Sequence, residues 1–562
     1  MTKQCKECRS DFEVTNLDLK FYEKVSPTFN GTRYDIPAPT LCPDCRQQRR
    51  LALANERFFY SRDCGLCGKK TMSEHSAIDG KEIYCRECWF SDQWDSLSYG
   101  KEIDFSRPMF EQLKELWSVV PAQNLLIEGT CINSEYIHYA GFAKNCYLIM
   151  HSDFCEECYY GYGFKKNLCC VDGYYNLGCE LCYDCIDVHK SYALIASQDC
   201  NNCHSSAFLR DCIGCKNCLL SVGLRGKQYC IENKQLTKEQ YLSRMAEINL
   251  GSYKQYQTCK SILQLLEQKH AYKEFHGHNT ENCTGDYITN CKDTHHSFDC
   301  EDVEGGKFLY QVVTGAKNDY DIYQYGLNLS ESYECSIAGN NVYNALFSHN
   351  VHVNCNNIIY CWFIQSSKDC FGCFNLHHKQ YCILNKQYSK EDYQALVPKV
   401  IELMKSHSEW GELFPISFSP FGYNKTNAQL YDPMTKQAVL AKGWKWDDSP
   451  EQKQSSEKTI SFAELPDSIE QVEDKITKFA ITCESSGKLF KITPKELKFY
   501  RSQKLPLPRL CPDERHIARF HQRNGRIFFN SKCGKCSNEI RTTYRPNEKI
   551  VYCEKCYLAN TY

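Results

Sequence analysis

Apolar residues recur at helical spacing in four stretches of the chain. Arg107–Val120 places Phe110, Leu113, Leu116 and Trp117 on one face. Thr237-x-x-Gln240 is a capping box that opens a helix across Tyr241, Met245 and Ile248. Lys260–Lys269 carries Ile262, Leu263, Leu265 and Leu266, and a fourth helix is predicted from Ser389 to His407 through Tyr393, Leu396, Val400, Ile401 and Leu403. These stripes read as packing surfaces rather than cofactor boxes. The long stretches between them are rich in Tyr, Phe, Asn, Asp and Gly and show no helical stripe. There the recurring small apolar residue is cysteine.

Its spacing is regular. Cys131, Cys155, Cys179 and Cys203 stand 24 residues apart. Cys146, Cys170 and Cys218 share a second phase of that period, with Leu194 at the missing node. Cys158, Cys182 and Cys230 share a third, with Ser206 at its missing node. Short β-leaning pieces with a buriable residue at fixed phase predict a parallel β-helix or β-solenoid, one coil per about 24 residues, with thiols stacked as small hydrophobes. Residues 278–388 keep this composition, but only Cys283 and Cys355, 72 apart, hold a clear phase. They read as a second, degenerate solenoid.

Larger repeats frame the two solenoids. Gly226-Lys-Gln-Tyr-Cys-Ile-Glu-Asn-Lys-Gln235 recurs as His378-Lys-Gln-Tyr-Cys-Ile-Leu-Asn-Lys-Gln387. Leu19-Lys-Phe-Tyr22, Cys42-Pro-Asp44, Asn55, Phe58-Phe59 and Cys64-Gly-Leu-Cys67 reappear in order as Leu497-Lys-Phe-Tyr500, Cys511-Pro-Asp513, Asn524, Phe528-Phe529 and Cys533-Gly-Lys-Cys536, with Asn55/Asn524 and Cys64/Cys533 both at an offset of 469. The expected fold is mainly β with α: terminal zinc-ribbon modules flanking two Cys-rich β-solenoid units with capping helices. The expected divisions are 1–104 (tandem zinc-ribbon module), 105–250 (helix and first solenoid), 251–412 (helix and second solenoid), 413–470 (irregular segment and linker, with 443–460 the most polar part) and 471–562 (second zinc-ribbon module).

Composition narrows the setting. Of 562 residues 39 are Cys, an odd count, and the start Met1-Thr-Lys-Gln-Cys5 has no apolar leader. A cytoplasmic, reducing compartment is expected, where paired cysteines bind metal more often than they form disulfides. No run of 18 apolar residues occurs. Net charge is −2, yet residues 1–70 carry +4 and 491–562 carry +10, which leaves −16 for the middle. Two basic ends flank an acidic centre.

Three sets of paired C-x2-C knuckles have zinc-ligand spacing: Cys5/Cys8 with Cys42/Cys45, Cys64/Cys67 with Cys85/Cys88, and Cys533/Cys536 with Cys553/Cys556, across gaps of 33, 17 and 16 residues. Four thiolates fill a tetrahedron, so the expected zinc is structural, about three ions per chain. The duplicate of the first set is degraded to Cys483-x2-Ser486 and Cys511-x2-Glu514, with His516 nearby, and reads as a module that folds without metal. Cys179/Cys182/Cys185 and Cys212/Cys215/Cys218 have iron–sulfur-like spacing but lack a fourth Cys followed by Pro, and packing is the favoured reading.

The first module resembles the probable zinc-ribbon domain family of bacterial proteins, on Cys5-Lys-Glu-Cys8, Phe12, Phe21-Tyr22-Glu-Lys24, Cys42-Pro-Asp-Cys45-Arg46 and Arg49-Arg50. The likeness covers about 46 residues, and the overall layout is similar to large multi-zinc bacterial proteins. It implies zinc binding and no reaction.

Two classes of function follow. The first is a zinc-binding scaffold or interaction protein whose basic ends contact a protein, RNA or DNA. Its contact residues would be Arg46, Arg49, Arg50, Arg57 and Arg62 near the first two sites, and Arg515, Arg519, Arg523 and Arg526 near the third, interleaved with Phe520, His521, Phe528 and Phe529. The competing reading of these arginines is that they pair with the acidic solenoids. The second class is an enzyme or redox protein using His138, His151, His189, His204, His295, His296, His377 or His378, or the solenoid thiols. No paired-carboxylate motif supports it, and no catalytic residue is assigned.

Overall fold

The computed structural model describes residues 1–449 and 458–561; the part of the polar linker at 450–457 lies outside them. The chain forms two compact units, each built from two separate segments: Met1–Leu125 with Phe275–Ser449, and Leu126–Glu274 with Pro450–Tyr562. The N-terminal module therefore shares a unit with the second solenoid, and the C-terminal module shares one with the first.

Both solenoids are parallel, but their coil is half as long as the cysteine spacing suggests. In the first, Ile137 pairs with Ile149, Tyr159 with Val171, Val171 with Tyr183 and Ala207 with Leu219, a step of 12 residues. The 24-residue lattice spans two coils. Within each coil the working unit is a triplet. Residues Tyr139, Phe142, Asn145, Leu148, His151, Phe154 and Glu157 all have positive φ, one in every three, so the backbone turns at each left-handed residue and four triplets close a four-sided coil. Asn, Asp and Gly recur at these corners because they reach that region at least cost.

The residue after each corner points inward. Fourteen of the fifteen cysteines from 131 to 230 occupy this one phase, Cys169 being the exception. Cys185, Cys212 and Cys215, which miss the 24-residue lattice, fit the triplet. The narrow interior favours small groups, and hydrogen bonding explains why Cys and Ser alternate there. Cys170 Sγ donates to the Leu168 and Cys179 carbonyls at 3.5 and 3.4 Å. Ser152 Oγ donates to the Met150 carbonyl at 2.8 Å and accepts from the Phe164 N–H at 3.0 Å. Phe164 brings an aromatic ring into this interior, and Gly161 and Gly173 make room for it: a Cβ at either would lie 2.4 Å from its ring.

The second solenoid has the same triplets, blurred by single-residue insertions. Thr314/Gly315, Leu327/Asn328, Asn340/Asn341 and Val353/Asn354 are consecutive left-handed pairs, 13 apart. Each widens one corner and lengthens the coil, as in the pairing of Tyr320 with Tyr333. The cysteine phase thus shifts without the architecture changing. The inner wall remains Ile288, Cys291, Cys300, Val303, Leu309, Cys335, Cys355, Cys361 and their neighbours.

The duplicated Lys-Gln-Tyr-Cys-Ile motif ends each solenoid. Strand Cys230–Ile231 turns back antiparallel on Lys234–Gln235, and Gln380–Ile383 does so on Lys386–Gln387. The turns pass through two left-handed residues, Glu232-Asn233 and Leu384-Asn385, a hairpin geometry that closes an otherwise open edge. Asn233 exchanges two 2.8 Å hydrogen bonds with the Val222 backbone, and Asn385 two of 2.8 Å with Phe374. Helices Lys238–Glu247 and Lys390–Ser406 follow, setting Tyr241 on Tyr229 and Tyr393 on Tyr381. The third predicted helix is longer than its apolar run, Tyr253–Glu267, and buries Tyr256, Cys259 and Leu263 in one cluster with Phe208, Leu219 and Val222. Helix Met109–Val119 buries Leu113, Leu116 and Trp117, the last 4.8 Å from Trp362. Among the described residues no helix is long and apolar enough to cross a membrane.

Candidate metal centres and their docking helices

The three four-cysteine sets converge. In each, the four Sγ atoms lie within 4.8 Å of one another, and these are Cys5/Cys8/Cys42/Cys45, Cys64/Cys67/Cys85/Cys88 and Cys533/Cys536/Cys553/Cys556. Cross-knuckle distances are 3.6 Å for Cys8–Cys42, 3.9 Å for Cys67–Cys85 and 3.8 Å for Cys536–Cys553. A tetrahedral ion with metal–sulfur bonds of about 2.3 Å has sulfur–sulfur edges of roughly 3.8 Å, so the donors present fit such an ion. Each set could hold a metal, and a filled shell of four thiolates leaves no position for water or substrate.

The local sequence builds these sites in the same way each time. The second knuckle starts a helix whose N-cap is a cysteine of the set: Cys42 before Pro43–Leu51, with φ, ψ of −66°, 162°, and Cys85 before Arg86–Trp89, at −65°, 161°. That cap's N–H donates back to the first knuckle, Cys42 to Cys5 Sγ at 3.2 Å, Cys85 to Cys64 Sγ at 3.3 Å and Cys553 to Cys533 Sγ at 3.3 Å. Burial raises the Cys533 thiol, but the N–H groups of Cys536, Cys553 and Lys535 outweigh it and bring the pKa down to about 6.

The degraded fourth site keeps the knuckle without the ligand set. Cys511 caps Pro512–Phe520 at −66°, 162°, and its N–H donates to Cys483 Sγ at 3.2 Å. Ser486 Oγ stands 4.0 Å from Cys511 Sγ. His516 lies against Tyr162 and Tyr174 instead.

The basic helices do not reach outward. Arg46, Arg49 and Arg50 are buried in ion pairs with the second solenoid's side of their unit. Arg46 meets Asp321 through two hydrogen bonds of 3.0 and 2.9 Å. Arg50 meets Glu334 at 2.6 Å and Asp321 at 3.1 Å, while Arg49 meets Glu334, and Glu412 at 3.0 Å. In the other unit Arg515 and Arg519 reach Asp172 at 3.1 and 3.0 Å, Arg519 reaches Asp184 at 3.5 Å, and Arg523 reaches Asp187 at 2.7 Å. Burial would raise Asp184, but Lys260 and Arg519 hold its carboxyl well below the usual range. Arg57 and Arg526 are half-buried, and Arg62 donates to the carbonyls of His75, Ser76 and Lys81, bracing its own ribbon. The expectation that the arginine clusters present cations to a partner is corrected for the buried ones: solenoid carboxylates occupy them.

The two docking constellations are equivalent. Arg46 and Arg515 stand four residues after the capping Cys, and Arg50 and Arg519 eight. Their acids, Asp321/Glu334 and Asp172/Asp184, are left-handed corner residues one coil apart. Tyr22 approaches Tyr333 at 5.1 Å, and Tyr500 approaches Tyr183 at 5.8 Å. The acids were not singled out from sequence, although their spacing, 13 and 12 residues, carries the coil period.

Several histidines are held by backbone or aromatic neighbours. His138 accepts the Leu126 N–H at 3.0 Å, and His151 stacks on Tyr139. His349, His352 and His377 are embedded among Trp89, Phe363 and Trp362.

No family model matches the chain, and no curated protein matches it. Among solved structures, a "putative acetyltransferase" from Desulfovibrio desulfuricans G20 is similar at 9% identity over 51% of this chain and 81% of its own, with a TM-score of 0.11, too low to carry any argument.

Proposed function

We propose that this chain is a zinc-stabilised scaffold or interaction protein of the cytoplasm, in which three structural zinc ions hold the ribbons of the terminal modules folded, the first of them also holding the helix that docks on the second solenoid. One observation carries the reading: the helix that begins at ligand Cys42 and includes ligand Cys45 continues directly into Arg46, Arg49 and Arg50, whose guanidinium groups lie buried against Asp321, Glu334 and Glu412. Metal shell and docking contact are one rigid element. Zinc is the cation favoured by four thiolates in a closed tetrahedron, and the resemblance of the first module to the bacterial probable zinc-ribbon family points the same way. A reducing compartment suits thiols that act as ligands or as packing groups. Zinc analysis of protein purified without added metal tests this reading. About three zinc per chain and little iron are expected, one ion for each closed four-thiolate set. A value near twice that would mean that interior thiols are ligands, and a value near zero would remove the scaffold reading.

A further inference from the structure

The ribbon at 55–92 and its duplicate at 524–561 share a fold, the latter one residue shorter between its knuckles, but their charges have diverged. The former holds 6 basic and 7 acidic residues, the latter 7 and 3, a change from −1 to +4. The difference is concentrated on the surface. At equivalent positions, Asp63 is replaced by Lys532, Leu66 by Lys535, Met72 by Arg541 and Ser76 by Arg545, and all four cations are exposed.

The hairpin shows how they are displayed. Strand Phe529–Lys532 pairs with Glu539–Thr542, Asn530 opposite Arg541 and Lys532 opposite Glu539, so Lys532, Glu539 and Arg541 share the outer face while Ile540 and Thr542 point inward. The Arg541 guanidinium lies over the Phe528 ring at 4.5 Å, and Ile527 beside it is 65% exposed. Lys535 projects from the knuckle between Cys533 and Cys536. The second ribbon's equivalent edge is covered by its own unit: Tyr60 donates to Asp447 at 2.8 Å, Lys425 lies over Phe58 and His75 stacks on Phe421.

We propose that the outer face of the third ribbon binds single-stranded nucleic acid, with Lys532, Lys535, Arg541 and Arg545 along the phosphates and Phe528 and Ile527 offering a platform to an unpaired base. Charge complementarity selects a polyanion, and the aromatic–cation pair favours a strand with exposed bases. The proposal goes beyond the scaffold reading and does not depend on which metal fills the third four-cysteine set.

The test uses the full chain and a labelled oligo-U or oligo-dT of about 20 nucleotides, longer than the site size of a typical single-strand-binding module, read by fluorescence anisotropy across a salt series. Lys532→Asp, Lys535→Leu, Arg541→Met and Arg545→Ser, introduced together, install the second ribbon's own residues, which this fold already accommodates. The wild-type protein is expected to bind with affinity that falls with salt. The quartet should bind at least about tenfold more weakly, with a log–log salt slope smaller by about 3, since each phosphate contact on a single strand contributes roughly 0.7. Phe528→Ala alone should weaken binding about five- to tenfold, at the low end of stacking energies, while leaving the salt slope in place. Absence of wild-type binding, or a quartet that binds like wild type with its metal content intact, overturns the proposal. So does equal binding of poly-glutamate, which would make the occupant an acidic protein segment.

Discussion

Arg46 and Arg515 hold the same place in duplicated helices, four residues past a capping cysteine, and each is buried against a carboxylate at a left-handed solenoid corner, Asp321 in one unit and Asp172 in the other. A buried pair of this kind resists the loss of one partner, which leaves a charge without compensation. Arg46→Met or Asp321→Asn should each destabilise its unit by about 3–5 kcal/mol, whereas Arg46→Met with Asp321→Leu should recover much of the loss. Denaturant unfolding with a probe in each unit checks this. Equal loss in the double variant would mean that docking does not rest on the pair.

Metal removal should act unevenly. The helix Pro43–Leu51 begins at Cys42 and contains Cys45, both in the first four-cysteine set, but its counterpart Pro512–Phe520 belongs to the degraded site. Chelation, or Cys8→Ser, is expected to raise amide exchange through Pro43–Leu51 while Pro512–Phe520 stays protected. Equal loosening of both helices would contradict the link between the first four-cysteine set and docking.

The degraded site gives a separate result. Cys483→Ser and Cys511→Ser should leave the zinc content unchanged, while Cys8→Ser, Cys67→Ser and Cys536→Ser should each lower it by about one ion, as four-coordinate structural sites require. Metal analysis of these variants decides the matter.

Acid should weaken the unit containing the second solenoid. Burial lowers His349 and His352 to about 3, and His377 to about 4, from an ordinary value near 6.5. The unfolded chain then binds more protons than the folded one as pH falls below about 6.5, so stability is complete above that value and declines toward about pH 3–4, by up to about 1.4 kcal/mol per pH unit for each histidine. Urea midpoints at about pH 7 and about pH 5, on either side of the ordinary histidine value, should differ, and His349→Phe should reduce the difference. A flat response would show that these rings gain compensation on charging.

Inside the first solenoid the space around Phe164 is tightly fixed. Gly173→Ala should cost about 1–3 kcal/mol or somewhat more through overpacking, because the new methyl would meet both the Phe164 ring and Asn176. Gly173→Ala combined with Phe164→Leu should be milder than Gly173→Ala alone, as thermal melts would show.

Much of this was readable from residue order. The spacings of the four-cysteine sets, the duplicated modules, the capping box at Thr237 and the solenoid class all follow from local pattern. The coil length did not, because cysteine fills only some inward positions. In the phase of Cys131, Cys155, Cys179 and Cys203 the inward positions between are Ala143, Asn167 and Ser191, so that row shows every second coil, and the 12-residue step survives in sulfur only in shorter runs such as Cys146, Cys158, Cys170 and Cys182. That Arg46 and Arg515 pair with the acidic solenoids was one of two readings open in the sequence, but their particular partners were hidden for a different reason. A basic helix looks the same whether it faces water or carboxylates hundreds of residues away, and Asp321 and Asp172 lie in stretches where acidic corners are common. Pairing each module with the more distant solenoid is a long-range fact with no local mark.

That pairing has a consequence for synthesis. A ribosome releases the N-terminal module long before Asp321 and Glu334 exist, so the module must keep its arginines hydrated while it waits. The first solenoid waits as well, its Asp172 and Asp184 uncovered until Arg515 and Arg519 emerge much later from the tunnel. Both halves mature late, and a truncated product would contain a finished coil whose binding face for its own terminal module is still open.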